Sequence, residues 1–385
     1  MCLAKRLGLY VLALTVLCEG FTVKPAGDPV VVWAAVDTYH KCHIIDVPDI
    51  PARAFVDKNE QTHMIEGSTN FHIMLGSSVL NQTRSCNISW NETGNPNPAM
   101  FAGDEFLDSV IAFDNGTVFV LMHTEYPGNV YHNCSGPAYP HCWTVSIGAG
   151  ISHDWGLTWQ HLAPPPHHLI AAVPYKYNQT QLASGWGDPS NIVQSPHDGY
   201  FYFAMWNRNQ VGLQAPGLCM VRSATLMDPS SWRGWDGSSF TVPFVSPYTL
   251  PPGSEAQHIC QVLDNMPGRP GACVAGGLAW SAYLELFVMT LDCADGTFVM
   301  TTSEDLVHWT TAVPLYSQSQ LPANVSHMTA SWVYPTFMDP TAHTAFGDRN
   351  FGTIGANPAL FWVSIGHSPY SDGRHLWATP MLFEK

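Results

Sequence analysis

The stretch FLDSVIAFDNGTVFVLM (residues 106–122), followed after a loop by WTVSIGAGISHDWGLTW (residues 143–159), decides how this chain is read. Residues 106–113 form an apolar run that ends in the turn Asp114-Asn115-Gly116, and residues 117–122 form a second run of β-branched and aromatic side chains. Asn-Gly between two such runs signals a hairpin, because a type I′ turn needs positive φ at both central residues. Residues 143–151 supply a third strand, and residues 152–159 turn the chain into a short fourth one. Four antiparallel strands in about 50 residues is the size of one propeller blade.

Working outward, the pattern recurs. Upstream, strands are expected at 50–56, 61–66 and 71–76, with the fourth lost in a segment crowded with glycosylation sequons. Downstream, a third blade is expected from 188–194, 200–206 and 218–224, with a turn at 227–235 and a last strand near 240–244. A fourth follows at 276–280, 284–290 and 297–302 with a turn at 303–309, and a fifth at 332–338, 359–365 and 375–381. The β-branched run 30–36 is expected to complete the last blade and so remove a free sheet edge. Helical periodicity is nearly absent. The expectation is an all-β protein, a five-bladed β-propeller of four-stranded antiparallel blades, forming a single domain over residues 21–385. A large β-sandwich or jelly roll would also space its strands evenly, but the recurring turn into a Trp-containing strand favours the propeller.

Residues 1–20 read as a signal peptide: Lys5 and Arg6, the short apolar run 7–17, then Cys18-Glu19-Gly20. A signal anchor is the alternative. Secretion, or residence in the secretory lumen, is expected, with no membrane association after cleavage. Outside that segment the cysteines are Cys42, Cys86, Cys134, Cys142, Cys219, Cys260, Cys273 and Cys293, an even set that suits disulfides. Short loops favour Cys134–Cys142 and Cys260–Cys273, which leaves Cys42–Cys86 and Cys219–Cys293. Seven sequons, at Asn81, Asn87, Asn91, Asn115, Asn133, Asn178 and Asn324, fit a glycoprotein. A formal charge of −15 with only 15 Lys and Arg argues against nucleic acid as a partner. No Cys spacing fits a zinc finger, and His167-His168 lacks partners at ligand spacing along the chain, so neither a metal nor another cofactor is expected.

Residues 152–159 fit the Asp-box pattern Ser-x-Asp-x-Gly-x-Thr-Trp and resemble that of sialidase-like propellers; Ser152, Asp154, Gly156 and Trp159 are then structural residues. Residues 303–309 resemble the shorter form found in five-bladed furanosidase-type propellers. Gly187-Asp188-Pro189-Ser190-Asn191-Ile192, with Asp198-Gly199 and Tyr202 behind it, is similar to the third-blade pattern of glycoside hydrolase family 43. That resemblance implies that Asp188 tunes and orients a catalytic acid, and that a base stands near Asp49. It also implies an acidic residue on the fourth inner strand, where this chain instead has Ala275-Gly276-Gly277. A sialidase mechanism would require three arginines, and Arg53 alone lies near an inner strand.

In a propeller, inner strands begin and second strands end on one face, at the mouth of the axial funnel. Glycosidic cleavage needs a proton donor and a base or nucleophile. The candidates at those positions are Asp49, Glu105, Asp108, Glu125 and Asp188, with His123 assisting. Arg53, Tyr126, Trp186, Asn207, Arg208 and Tyr334 are candidates for holding substrate. The competing role for Asp108 and Asp188 is bonding to backbone N–H groups at strand starts. Two functions remain open: a secreted glycoside-hydrolase-like enzyme acting on a carbohydrate in the axial funnel, and a non-catalytic carbohydrate-binding propeller.

Overall fold

A computed structural model of the protein describes residues 20–35, 42, 46–136, 140–267, 271–322, 331–366 and 374–385. The expected signal segment through residue 19 and the sequon at Asn324 lie outside these residues.

Five antiparallel sheets form a ring. Blade 1 is Arg53–Val56, Thr62–Ile65, Met74–Ser78 and Asn81–Arg84, in that order from the axis outward. Blade 2 is Asp104–Ala112, Val118–Pro127, Trp143–Ser152 and the short Gln160–His161. Blade 3 runs Val193–Gln194, Phe201–Asn207, Gly217–Ser223, Arg233–Trp235 and a fifth strand, Phe240–Pro243. Blade 4 is Cys273–Ser281, Leu286–Cys293, Phe298–Ser303 and Val313–Tyr316. Blade 5 is Ser331–Met338, Ala359–Ile365 and Arg374–Glu384, and its outer edge is covered by N-terminal strands. Thr22–Pro25 pairs with one end of Arg374–Glu384, and Val30–Ala34 with the other.

Three details differ from the strand expectations. The third strand of blade 1 starts at Met74, because Asn70–Phe71 pairs with Trp90–Asn91 in a separate ribbon. The missing fourth strand is Asn81–Arg84, at the start of the sequon-rich segment. In blade 3 the residues before Val193 hold to the second strand through bridges such as Gly187 to Trp206 and are otherwise irregular.

The core is divided among the blade interfaces. Five clusters of buried side chains each join two neighbouring blades, and the cluster containing Trp33, Phe361, Met64 and Ala54 closes blade 5 onto blade 1. The turns into the outer strands feed this packing. Asp154 accepts bonds from Thr158 N and Oγ1 at 2.9 and 2.7 Å, and Trp159 then packs beside Phe55 and Ile73 of blade 1. In the turn at 303–309, Ser303 Oγ and Asp305 Oδ1 accept backbone N–H groups, and Trp309 packs beside Tyr202 of blade 3. Trp232 joins the cluster shared by blades 2 and 3, with its ring 5.0 Å from that of Phe203.

Four disulfides support the ring: Cys42–Cys86, Cys134–Cys142, Cys219–Cys260 and Cys273–Cys293. The first two are the expected pairs, whereas the last two replace Cys260–Cys273, expected from its short loop, and the remaining Cys219–Cys293. Cys273 and Cys293 face each other in antiparallel register on the first two strands of blade 4, with Cα atoms 4.1 Å apart. Sheet register, not loop length, selected the partner.

Trp232 is 1% exposed, and removing so large a buried side chain costs about 3–5 kcal/mol. Trp232→Ala should lower unfolding free energy by that order in denaturant titration. A loss below about 1 kcal/mol would contradict interface packing as the source of stability.

Candidate functional site

The inner strands start, and the second strands end, on one face of the ring. Three inner strands carry β-bulges there. Asp108 is the extra residue between Leu107 and Ser109, which pair with Met122 and Leu121. Gly276 is the extra residue between Ala275 and Gly277. Tyr334 and Pro335 occupy the irregular step between Val333 and Thr336. A bulge re-aims the side chain it frees, and these three lie around Arg53.

Arg53 is buried. Its Nη2 donates to Gly276 O at 2.7 Å and its Nη1 to Thr336 Oγ1 at 3.0 Å, and it lies 3.7 Å from Asp108 Oδ1. One guanidinium thus links blades 1, 2, 4 and 5. Burial lowers Arg53 to about 10, against the pull of Asp108. Burial raises Asp108 to about 7, with Arg53 and His123 opposing. Arg53 is therefore an axial tie and not a free substrate anchor. Gly276 is dictated by contact: a Cβ there would stand 2.0 Å from Pro335 O. This leaves no room for a carboxylate at that point of the fourth inner strand.

Above this tie lies a second polar layer. Asp188 has φ of +44°, and its N–H donates to His123 Nδ1 at 2.9 Å. His123 and Glu125 project from the same side of their strand, with Nε2 and Oε1 3.0 Å apart. Gly187 permits the approach, since a Cβ there would come within 2.7 Å of His123 Cε1. Burial disfavours charge on His123, but Asp188 and then the Glu125 bond outweigh it and raise the ring to about 9. The Asp188 N–H already occupies Nδ1, however. A second ring proton would face it directly, so the bond geometry assigns one proton, on Nε2, directed at Glu125.

Asp49 completes the layer. Arg374 Nη1 donates to its Oδ1 and, at 3.0 Å, to Pro48 O. Tyr334, at φ +64°, directs its hydroxyl to the same Oδ1 at 3.5 Å. Burial raises Asp49, with Arg374 opposing and Glu125 adding to the rise. Burial also raises Asp188, with Glu125 reinforcing. Asp292, at the end of the second strand of blade 4, is pushed up to about 7 by burial, then by Asp188, against a bond from Tyr334 N–H. Asp292 and Tyr334 open onto a cleft of about 640 Å³ that also presents Trp206 and Arg208, with the buried Trp332 behind its wall.

Asp49, His123, Glu125, Asp188, Arg208 and Tyr334 thus gather on this face, with Asp108 beneath them. Other candidates do not join. Glu105 is turned away, its Oε1 2.6 Å from His161 Nε2 and its Oε2 accepting Thr93 N–H at 2.8 Å. Trp186 is fully buried in the core shared by blades 2 and 3. Asn207 is consumed locally, accepting from Gly185 N and donating to Ala215 O, each at 3.0 Å. Tyr126 is packed against Tyr131 and Tyr177 and donates to Pro96 O at 2.9 Å. Arg374, Trp206 and Trp332 were not anticipated. Arg374 had one signal, a lone cation opening the last long strand.

No protein family's sequence profile matches the chain, and no curated protein is similar to it in sequence. Several solved structures are similar in arrangement. A Cellvibrio cellulosa α-L-arabinanase is 10% identical, with 86% of this chain and 91% of that one covered at a TM-score of 0.48. A glycosyl hydrolase from Bacteroides ovatus is 8% identical, with 86% and 84% covered at 0.47. A GH43 protein of a Bacteroides ovatus xyloglucan locus is 11% identical, with 88% and 53% covered at 0.46. At these identities no residue role passes from them to this chain.

The raised Asp292 gives a signed pH effect. Its folded value of about 7 lies above the ordinary 3.8. The stabilisation carried by its protonated form is therefore complete below about pH 4 and is lost as pH rises through about 7. Asp292→Asn should make the fall of Tm over that window shallower than in the wild type. An unchanged slope would contradict the burial of this carboxyl.

Proposed function

We propose that this protein is a secreted glycoside-hydrolase-like propeller that cleaves a carbohydrate in the axial funnel. The observation that carries this reading is the carboxyl layer of Asp49, Glu125, Asp188 and Asp292, set in unequal surroundings. Asp188 and Asp292 are both raised by burial, and Asp188 adds to the rise of Asp292. Asp49, raised by burial as well, differs in having Arg374 beside it to favour the negative form, and Glu125 faces His123 Nε2–H. Carboxyls whose environments differ in this way can divide the acid and base roles of glycoside cleavage. In this reading Asp188 or Asp292 delivers the proton to the leaving oxygen. Asp49 or Glu125 serves as base or nucleophile, and His123 positions Glu125. The cleft beside Asp292 offers the partly exposed Trp206 for a sugar ring and Arg208 for hydroxyls. Four disulfides and exposed sequons such as Asn81, Asn87, Asn91, Asn115 and Asn178 support secretion.

The second reading, a non-catalytic carbohydrate-binding propeller, is favoured by one observation. The fourth inner strand has Gly276, packed on Pro335 O, where a family 43 acid would stand.

A glycan-array screen followed by a hydrolysis assay on the hits separates the two. Asp188→Asn and Glu125→Gln should each reduce turnover by about 10²-fold or more while leaving far-UV circular dichroism and glycan binding in place. Wild-type turnover in both variants would overturn the site assignment. Binding without turnover in the wild type would establish the second reading.

A further inference from the structure

Away from the carboxyl layer, blade 2 brings together three ligand-type side chains that are distant in sequence. Glu105 stands on the inner strand, His161 on the short outer strand, and His168 in the loop that follows. One ligand atom of each lies within 4.8 Å of the other two. Glu105 and His168 are fully buried, while the His161 side chain is 15% exposed and leaves a path from solvent.

An internal ion pair between His161 and Glu105 accounts for two of the three. It does not account for the second imidazole, whose ring centroid is 4.5 Å from that of His161. His168 directs Nε2 at Phe101 O, 3.1 Å away, and its Nδ1 is buried with no partner. Donation of Nε2–H to a carbonyl leaves a lone pair on Nδ1, which is the tautomer a metal requires and the supporting bond that metal-bound histidines usually make. Glu105 is braced in the same manner, with Oε2 held by Thr93 N–H. Gly148 makes room for the ring, since a Cβ there would be 2.7 Å from His168 Cδ2.

We propose that Glu105, His161 and His168 form a binding site for a divalent transition metal, with Zn²⁺ as the best-fitting ion. Two imidazoles and one carboxylate suit zinc and not calcium or magnesium, which prefer all-oxygen shells. Three protein ligands leave the fourth position for water on the open side of His161. The ion would tie the first strand of blade 2 to its outer strand and the following loop. This site is independent of the carbohydrate reading.

The test uses the secreted protein stripped with a chelator, dialysed and titrated with Zn²⁺ by calorimetry. Co²⁺ serves as a spectroscopic probe. The proposal expects one Zn²⁺ per chain, a rise in Tm on binding, and visible d–d absorption from bound Co²⁺. His161→Gln and Glu105→Gln should each weaken binding by at least about tenfold and abolish the Co²⁺ band. His308→Gln, which removes an imidazole 82% exposed on blade 4, should change neither. Failure of the wild type to bind stoichiometric Zn²⁺, or wild-type affinity in a folded His161→Gln protein, would overturn the proposal.

Discussion

The structure depends on closure of the ring. The chain's two ends meet in one sheet, where Arg374–Glu384 takes Thr22–Pro25 and Val30–Ala34 as antiparallel partners. A propeller without that pairing would expose a sheet edge and lose Val32 and Trp33 from the joint between blades 5 and 1. With it, each blade buries both faces against neighbours, and the five interface clusters form a continuous belt. The inner strands are then fixed at a common axis. Polar groups can be held there at close range, because the belt carries the stability that burying them consumes.

At the axis the cost of burial is handled in two layers. The lower layer is a structural tie, in which Arg53 uses its donors on Gly276 O and Thr336 Oγ1 and faces Asp108. The upper layer is less fully neutralised. Asp49, Glu125, Asp188 and Asp292 share Arg374, His123 and Arg208 as their nearby cations or donors. Excess carboxyl over cation in a confined space favours proton storage, since two close carboxylates cannot both ionise cheaply. A layer of this kind contributes little to stability.

Much of the architecture was legible in the sequence. Apolar runs and the Asn115-Gly116 and Asp198-Gly199 turns place the strands, the run from Val30 announces closure, and the Trp-containing turns at 152–159 and 303–309 mark the outer strands. The end-of-strand rule also placed Asp49, His123, Glu125 and Asp188 on one face. It failed where bulges intervene. Asp108 reaches the axial tie because it is the unpaired residue of a bulge, whereas Glu105, three residues earlier, remains in regular register opposite Thr124 and turns toward His161. A one-residue irregularity reverses which face a side chain takes, and sequence period does not reveal it. The same limit applied to the disulfides, where the register of Cys273 with Cys293 outweighed loop length.

The central claim is that Asp188 and Asp292 in the upper layer hold protons above the ordinary carboxyl range and that Asp188 helps to raise Asp292. The most direct measurement is a carbon-detected NMR pH titration of protein labelled at the Asp and Glu side-chain carboxyls, in the wild type and in Asp188→Asn. The account predicts at least one Asp carboxyl, Asp292, titrating near pH 7 in the wild type, and moving lower when Asp188 is neutralised. Titration of every Asp carboxyl below about pH 4.5, or an Asp292 midpoint unmoved by Asp188→Asn, would contradict it.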